Sequence, residues 1–199
     1  MAQSCRRDQG AHRTESMRGP HVSTRSDSST QSAVNTRALR DVLGHFCSGV
    51  TVVTAMVGDE PAGFTCQSFS ALSLDPPQVL LCPSRRSTSW PAIRTAETFC
   101  INVLSSGQRD HSNRFAKSGG PKFAGVQWRP AERGAPILEG AAAWFEVALT
   151  AEHDGGDHLI AVGGLLDFGS DPVTEPLVFH RSRYGGVVEL SLGAIESGT

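Results

Sequence analysis

The run Gly63–Ser89, GFTCQSFSALSLDPPQVLLCPSRRSTS, limits most severely what this chain can become. Two β-type segments are parted by Asp75-Pro76-Pro77 and followed by a polar stretch of serines and arginines. Proline restricts the residue before it and donates nothing to a ladder. Neither a helix nor one continuous strand can pass through the pair, and the chain must turn a corner there.

The flanking sequence repeats this grammar of short strands and turns. A helix is expected from a cap at Asn35 or Thr36, with Leu39, Val42, Leu43 and Phe46 on one face, ending near Ser48-Gly49. Val50–Val57, VTVVTAMV, is β-branched and apolar on both faces and predicts a central strand. Gly58-Asp59-Glu60-Pro61 is turn chemistry, and Ala62–Ser68 pairs back as a hairpin. Phe69–Leu74, Gln78–Cys82, Thr98–Val103, Ala141–Glu152, His158–Asp167 and Pro176–His180 are further extended segments. Two more helices are expected. One runs Ser87–Arg94 with Trp90 and Ile93 inward; the other runs Ser105–Ala116 with Gln108, Arg109, Asp110 and His111 towards water. A Gly-rich loop, Lys117–Trp128, follows the second. Strands outnumber helices, connections are of hairpin length, and no βαβ rhythm recurs. The expected class is mainly β: an antiparallel barrel with peripheral short helices rather than a doubly wound sheet.

Residues 1–35 are rich in Ser, Thr and Arg and are expected to form a disordered tail, leaving a folded domain over 36–190 and a C-terminal tail over 191–199. The full chain has 199 residues, enough for one domain with a real core. A net charge of -2 offers no basic excess for a phosphate backbone, so no nucleic-acid partner is expected. No apolar run reaches membrane-spanning length, and the arginine-bearing N-terminus has no apolar signal core. The cysteines Cys5, Cys47, Cys66, Cys82 and Cys100 are odd in number and widely spaced, as free thiols of a reducing cytoplasm would be. Neither they nor the histidines fall at the close spacing of structural zinc ligands, so no metal site is expected.

Several familiar chemistries are missing. No GxGxxG follows a strand, no GxSxG elbow occurs, and SGGPK at Ser118–Lys122 lacks P-loop spacing. What remains is binding chemistry. Thr65, Gln67 and Ser68 place hydroxyl and amide groups on a strand between Phe64 and Phe69, a pattern that can read the polar edge of a flat heteroaromatic ring or face solvent. Ser84, Arg85, Arg86, Ser87 and Ser89 lead from a strand into a helix start, which is either an anion site or an N-cap with two solvated arginines. His158 follows Gly155-Gly156-Asp157, where a turn enters a strand, and can position a ligand or serve structure alone. His180, Arg181, Arg183 and Tyr184 gather cations beside an aromatic near the end of the chain.

Taken together, SGVTVVT, GFTCQSFSALSLDPPQVLLCP, FCINVL, KFAGVQW, GAPILEG, GGDH and PLVFHRSRYGG stand in the order and spacing of the flavin reductase-like family, which the chain resembles from about Thr36 to Gly186. The resemblance implies an FMN-binding, Greek-key split β-barrel, usually a homodimer, that works in the cytoplasm. It implies reduction of FMN, or FAD, by NADH, or NADPH, with FMN the expected preference. Reduced flavin then passes to a flavin-dependent monooxygenase acting on an aromatic or steroid-derived substrate. By the same resemblance Thr65, Cys66, Gln67 and Ser68 line the isoalloxazine, and Ser84, Arg86, Ser87 and Ser89 hold the ribityl-phosphate end. Phe115, Lys122 and Phe123 lie near the outer part of the flavin, while Asp157, His158, Arg181 and Tyr184 face the nicotinamide nucleotide, His158 being the candidate catalytic residue. Two positions depart from the common pattern: Gln67 stands where many relatives have Asn, and Ser182 where many have Gly. The competing expectation is a split-barrel protein that binds flavin or haem without turnover, as a carrier or sensor.

Overall fold

The computed structural model describes residues 34–188; all but two residues of the expected tail, Cys5 with them, and the trailing segment 191–199 lie outside the described residues. The elements all belong to the unit Thr36–Thr199. In chain order they are α1 (Thr36–Leu43), β1 (Ser48–Gly49), β2 (Thr51–Val57), β3 (Glu60–Cys66), β4 (Ser70–Leu74), β5 (Pro77–Leu81), α2 (Trp90–Ile93), β6 (Phe99–Val103), a 3-10 turn (Ser106–Gln108), α3 (Arg109–Ala116), β7 (Trp128–Pro130), β8 (Pro136–Leu138), β9 (Ala143–Gly155), β10 (His158–Ser170), β11 (Val178–His180) and β12 (Arg183–Gly185).

The main sheet has seven strands in the order β3-β2-β6-β9-β10-β5-β4, and every pair is antiparallel. Its two edge strands, β3 and β4, are joined only by Gln67-Ser68-Phe69. Laid flat, seven strands would hold those edges roughly 29 Å apart, whereas the link reaches roughly 14 Å. The sheet must therefore curl until its edges meet, and the link marks the seam of a split β-barrel. Ser68 stitches that seam: its hydroxyl accepts from the Cys82 N–H (2.8 Å) and donates to the Cys82 carbonyl (3.1 Å).

β2 shows why a strand apolar on both faces was needed. Val53 points into one core cluster with Phe64, Leu81, Phe99, Ile101 and Val147, while Val52 packs on the other side with Leu104, Phe115, Leu138 and Leu177. α2 plugs the first cluster with Trp90 and Ile93, both buried as expected, although the helix begins at Trp90 rather than Ser87. Ser87 instead accepts the Trp90 N–H through its hydroxyl (3.1 Å). α3 lies over β3, and a Cβ at Gly63 would stand 2.8 Å from the Phe115 ring, so glycine is what admits this packing.

Two expectations change. Gln108 is buried rather than turned to water, because its amide accepts the Ser105 N–H (3.0 Å) and donates to the Glu139 carbonyl (2.7 Å). α1 stops at Leu43, short of Ser48-Gly49, and none of its residues is buried. Its expected inward face is open: Leu39, Val42, Leu43 and the following Phe46 are 44%, 68%, 62% and 83% exposed. Cys66 and Cys100 are buried free thiols, whereas Cys47 is exposed. Among the described residues no helix is long and apolar enough to cross a membrane.

Candidate active site

A cavity of about 440 Å3 opens beside the seam. Its walls come from the end of β3 and the link, from the segment between β5 and α2, from the end of α3 with its following loop, and from the first residue of β10. Thr65, Cys66, Gln67, Ser68, Ser84, Arg86, Ser87, Ser89, Phe115, Lys122 and His158 all line it. These are most of the residues expected at a cofactor site, gathered from stretches far apart in sequence. Phe123 stands behind Phe115, edge-on at 5.0 Å between ring centroids, and faces an adjoining compartment. Asp157 flanks the cavity through His158. Arg181 and Tyr184 lie elsewhere, in a second cavity of about 660 Å3 shared with His45, Cys47 and His180.

Within the first cavity the side chains divide into those that hold the frame and those left to meet a ligand. The Thr65 hydroxyl donates to the Ser112 carbonyl at 2.7 Å. Ser68 is committed to Cys82, and Cys66 Sγ lies 3.2 Å from Ser68 Oγ. Burial pushes the Cys66 thiol up, so it stays protonated at neutral pH. Gln67 differs: it is exposed, and among the described residues its amide has no hydrogen-bond partner. The two arginines separate in the same way. Arg85 is a tie, with Nε donating to the Gly156 carbonyl (2.8 Å) and Nη2 paired with Asp154 (2.5 Å), which holds that carboxyl below the usual carboxylate range. The Arg86 guanidinium has no hydrogen bond among the described residues and lines the cavity.

The turn before β10 is zipped to the serine-rich segment. Arg85 N–H donates to the Asp157 carbonyl (3.0 Å) and Leu159 N–H to the Pro83 carbonyl (2.9 Å), and Ser84 and His158 form a bridge pair. His158 is thereby set against the phosphate-type end of the cavity. Its Nδ1 lies 2.7 Å from Asp157 Oδ1, a contact that lowers the Asp157 pKa and leaves Nε2 without a partner among the described residues. On the opposite wall Lys122 spans three acceptors, the carbonyls of Gly63 (3.0 Å) and Phe115 (3.2 Å) and the Ser89 hydroxyl (3.2 Å). Burial depresses its pKa. All three ammonium protons thus have protein acceptors, making Lys122 a strut between loop and barrel.

Buried Ser112 of α3 hydrogen-bonds to a lining residue of each cavity. The Ser112 carbonyl holds Thr65, and its hydroxyl sits 3.0 Å from the Tyr184 hydroxyl, which also donates to Asn113 Oδ1 (2.9 Å). Arg181 and Ser182 form the two-residue turn between β11 and β12, both with positive φ (47° and 61°). Such turns ordinarily take Asn or Gly.

The first cavity suits a flavin. Its volume, about 440 Å3, lies within the roughly 300–1,000 Å3 typical of small-molecule sites. No carboxylate lines it, and Arg86, the Thr88 hydroxyl and the Thr88 and Ser89 N–H groups, unpartnered among the described residues, suit a phosphate, as does the Ser87 O–H, whose oxygen accepts the Trp90 N–H. At the other end, β3 is an edge strand with outward-facing backbone donors and acceptors beside Gln67, as the rim of a planar ring requires. Cys82, Pro83, Thr88, Lys117 and Ser118 also line the cavity, and residue-type reasoning missed them. For Lys117 and Ser118 the signal was the Gly-rich loop itself, which reads as a connection until its partner across the gap is seen.

Comparison with known proteins gives a consistent result. The family description "Flavin reductase like domain" matches residues 43–187. The reductase subunit HsaB of a flavin-dependent monooxygenase from Mycobacterium tuberculosis is 46% identical over 156 residues, 77% of this chain and 83% of the relative. The crystal structure of nitrilotriacetate monooxygenase component B from Mycobacterium thermoresistibile superposes with a TM-score of 0.75 at 44% identity, covering 78% of this chain and 88% of that one. An NADH:FAD oxidoreductase from Streptomyces globisporus, crystallised with NAD and FAD fragments, gives a TM-score of 0.72 at 35% identity, over 80% of this chain and 95% of that one.

Proposed function

The chain belongs to the flavin reductase-like family, and from that premise we propose that it reduces a flavin with NADH and passes the reduced flavin to a separate flavin-dependent monooxygenase. The observation that carries this reading is the single cavity in which Gln67, the serine-rich segment with Arg86, and His158 converge. When bound, the two cofactors would supply the redox chemistry, a hydride transfer from nicotinamide to flavin. The chain's own part is orientation and proximity. Gln67 and the β3 edge fix the rim of the ring, Arg86 with the Ser87–Ser89 segment fixes the first phosphate, and Phe115 closes the inner wall. His158, steadied by Asp157, offers Nε2 to a carboxamide as a positioning group. No acid–base pair is required, which accounts for a site built of hydroxyls and backbone groups rather than of a catalytic triad.

Reduced flavin must leave, and an open cavity whose cations without a side-chain partner among the described residues are only Arg86 and Lys117 permits that. The partner's substrate, expected to be aromatic or steroid-derived, is chosen by the partner's own active site. Use of NADH supports work in the cytoplasm. A homodimer is supported by the open apolar face of α1, which nothing else in the described chain covers. The carrier-or-sensor alternative is less well supported, since the relatives are reductases.

The test is direct. Purified protein mixed with NADH and excess FMN or FAD should consume NADH in a flavin-dependent manner, and His158→Ala should raise the KM for NADH more than it lowers kcat. NADH consumption that does not depend on added flavin would overturn the proposal.

A further inference from the structure

Two thiols face the first cavity from the two sides of the barrel seam. Cys66 closes β3 and Cys82 follows β5, and both line the cavity. Ser68 Oγ stands between them, 3.2 Å from Cys66 Sγ, 2.8 Å from the Cys82 nitrogen and 3.1 Å from the Cys82 carbonyl oxygen. The Cys82 backbone also hydrogen-bonds the Cys66 sulfur directly. The other described thiols are placed differently: Cys100 is buried in a separate cluster, and Cys47 lines the second cavity. Cys66 is 6% exposed whereas Cys82 is half-buried, so a small oxidant entering the cavity meets Cys82 first.

We propose that Cys66 and Cys82 are an oxidation site in the cavity wall, joined by hydrogen peroxide into a reversible disulfide that weakens flavin binding. The inference rests on the reading that this cavity takes flavin and releases it reduced, because reduced flavin that meets dioxygen instead of the partner enzyme yields oxidised flavin and peroxide. The Cys82 sulfur attacks one peroxide oxygen. The O–O bond breaks, a sulfenic acid forms, and the thiol proton leaves with the other oxygen as water. The Cys66 sulfur then attacks the sulfenic sulfur. The S–S bond forms, the S–O bond breaks, and the Cys66 proton departs with the hydroxyl as a second water. The two thiols lose two electrons and the peroxide gains them. Burial holds the Cys66 pKa up, so this thiol resists peroxide itself and acts second. Closure reaches the ligand through Ser68. A disulfide draws its Cβ atoms to about 3.8 Å, and the Ser68 hydroxyl, which lies between Cys66 Sγ and the Cys82 backbone, must yield. That frees the link between β3 and β4, and Gln67, next to Ser68 in the link, loses its place at the rim of the cavity.

The parent protein for the test is the full chain with Cys47→Ser, which silences the exposed thiol. Cys66→Ser or Cys82→Ser is then added to it. Each protein is treated with hydrogen peroxide and compared with its own untreated sample. Peptide mass spectrometry without reduction locates the bond, and calorimetry gives the Kd for oxidised FMN. The treated parent should yield a Cys66–Cys82 peptide and bind FMN about tenfold more weakly, with dithiothreitol reversing both. Cys82→Ser should keep its untreated affinity and leave Cys66 unoxidised, and Cys66→Ser should stop at a sulfenic acid on Cys82 that dimedone captures. If a variant fails to fold, the peptide map and Kd of the parent decide alone. Thiols that stay reduced, a disulfide to any other cysteine, or a Cys66–Cys82 bond that leaves the FMN Kd unchanged overturns the proposal. Turnover of the parent with NADH and FMN in air should produce the same bond, and catalase should prevent it; a bond that forms despite catalase overturns peroxide as the oxidant. Failure of the untreated protein to bind FMN or FAD would overturn the flavin reading of the cavity instead, and the peptide map distinguishes that failure from absence of the disulfide.

Discussion

Ser182 sits at φ 61° in a two-residue turn, a conformation that a side chain makes costly and glycine does not. Ser182→Gly should stabilise the protein by about 1 kcal/mol, read as a higher midpoint in chemical denaturation. The thiols separate by burial. Cys66 is buried and its pKa raised, so at any given pH less of it is thiolate than of an ordinary cysteine; Cys47 is exposed. Iodoacetamide at mildly alkaline pH should label Cys47 first and leave Cys66 largely unmodified, as peptide mass spectrometry would show. Labelling of Cys66 at a rate equal to that of Cys47 would contradict the packing around β3.

At the scale of elements, neighbouring residues of one link do different work. Ser68 ties the link between the edge strands to Cys82, just beyond β5, whereas the Gln67 side chain has no partner among the described residues. Ser68→Ala should therefore cost about 1–2 kcal/mol of stability, because the Cys82 N–H and carbonyl lose their partner. Gln67→Ala should stay within about 0.5 kcal/mol of wild type in stability while weakening flavin binding about fivefold. Denaturation midpoints and flavin titration on the two variants separate these effects. Equal loss of stability in both would mean that the link is one structural unit and not a frame with a single ligand-facing amide.

At the scale of the whole molecule, α1 and the residues just after it present Val42, Leu43 and Phe46 to solvent, an arrangement that a monomer gains nothing from. The wild type should sediment as a dimer and Val42→Glu should shift it towards monomer; a monomeric wild type would remove this role for the helix. Much of this molecule was legible in its residues. The central strand, the Pro-Pro corner and the inward Trp90 and Ile93 follow from local backbone chemistry and periodicity, which depend only on near neighbours; the pairing of Thr65–Ser68 with Ser84–Ser89 as one cofactor wall came from the family resemblance, the residues alone leaving a solvent-facing strand and an N-cap open. The tertiary structure decided the rest. It made Arg85 a tie and left Arg86 to the cavity, turned Gln108 inward, committed Thr65, Ser68 and Lys122 to the frame, and set Arg181 and Tyr184 at a second cavity. Periodicity records which way a side chain leaves its own strand or helix. Whether that side chain then meets a carbonyl, a carboxylate or open space depends on what the fold brings opposite it.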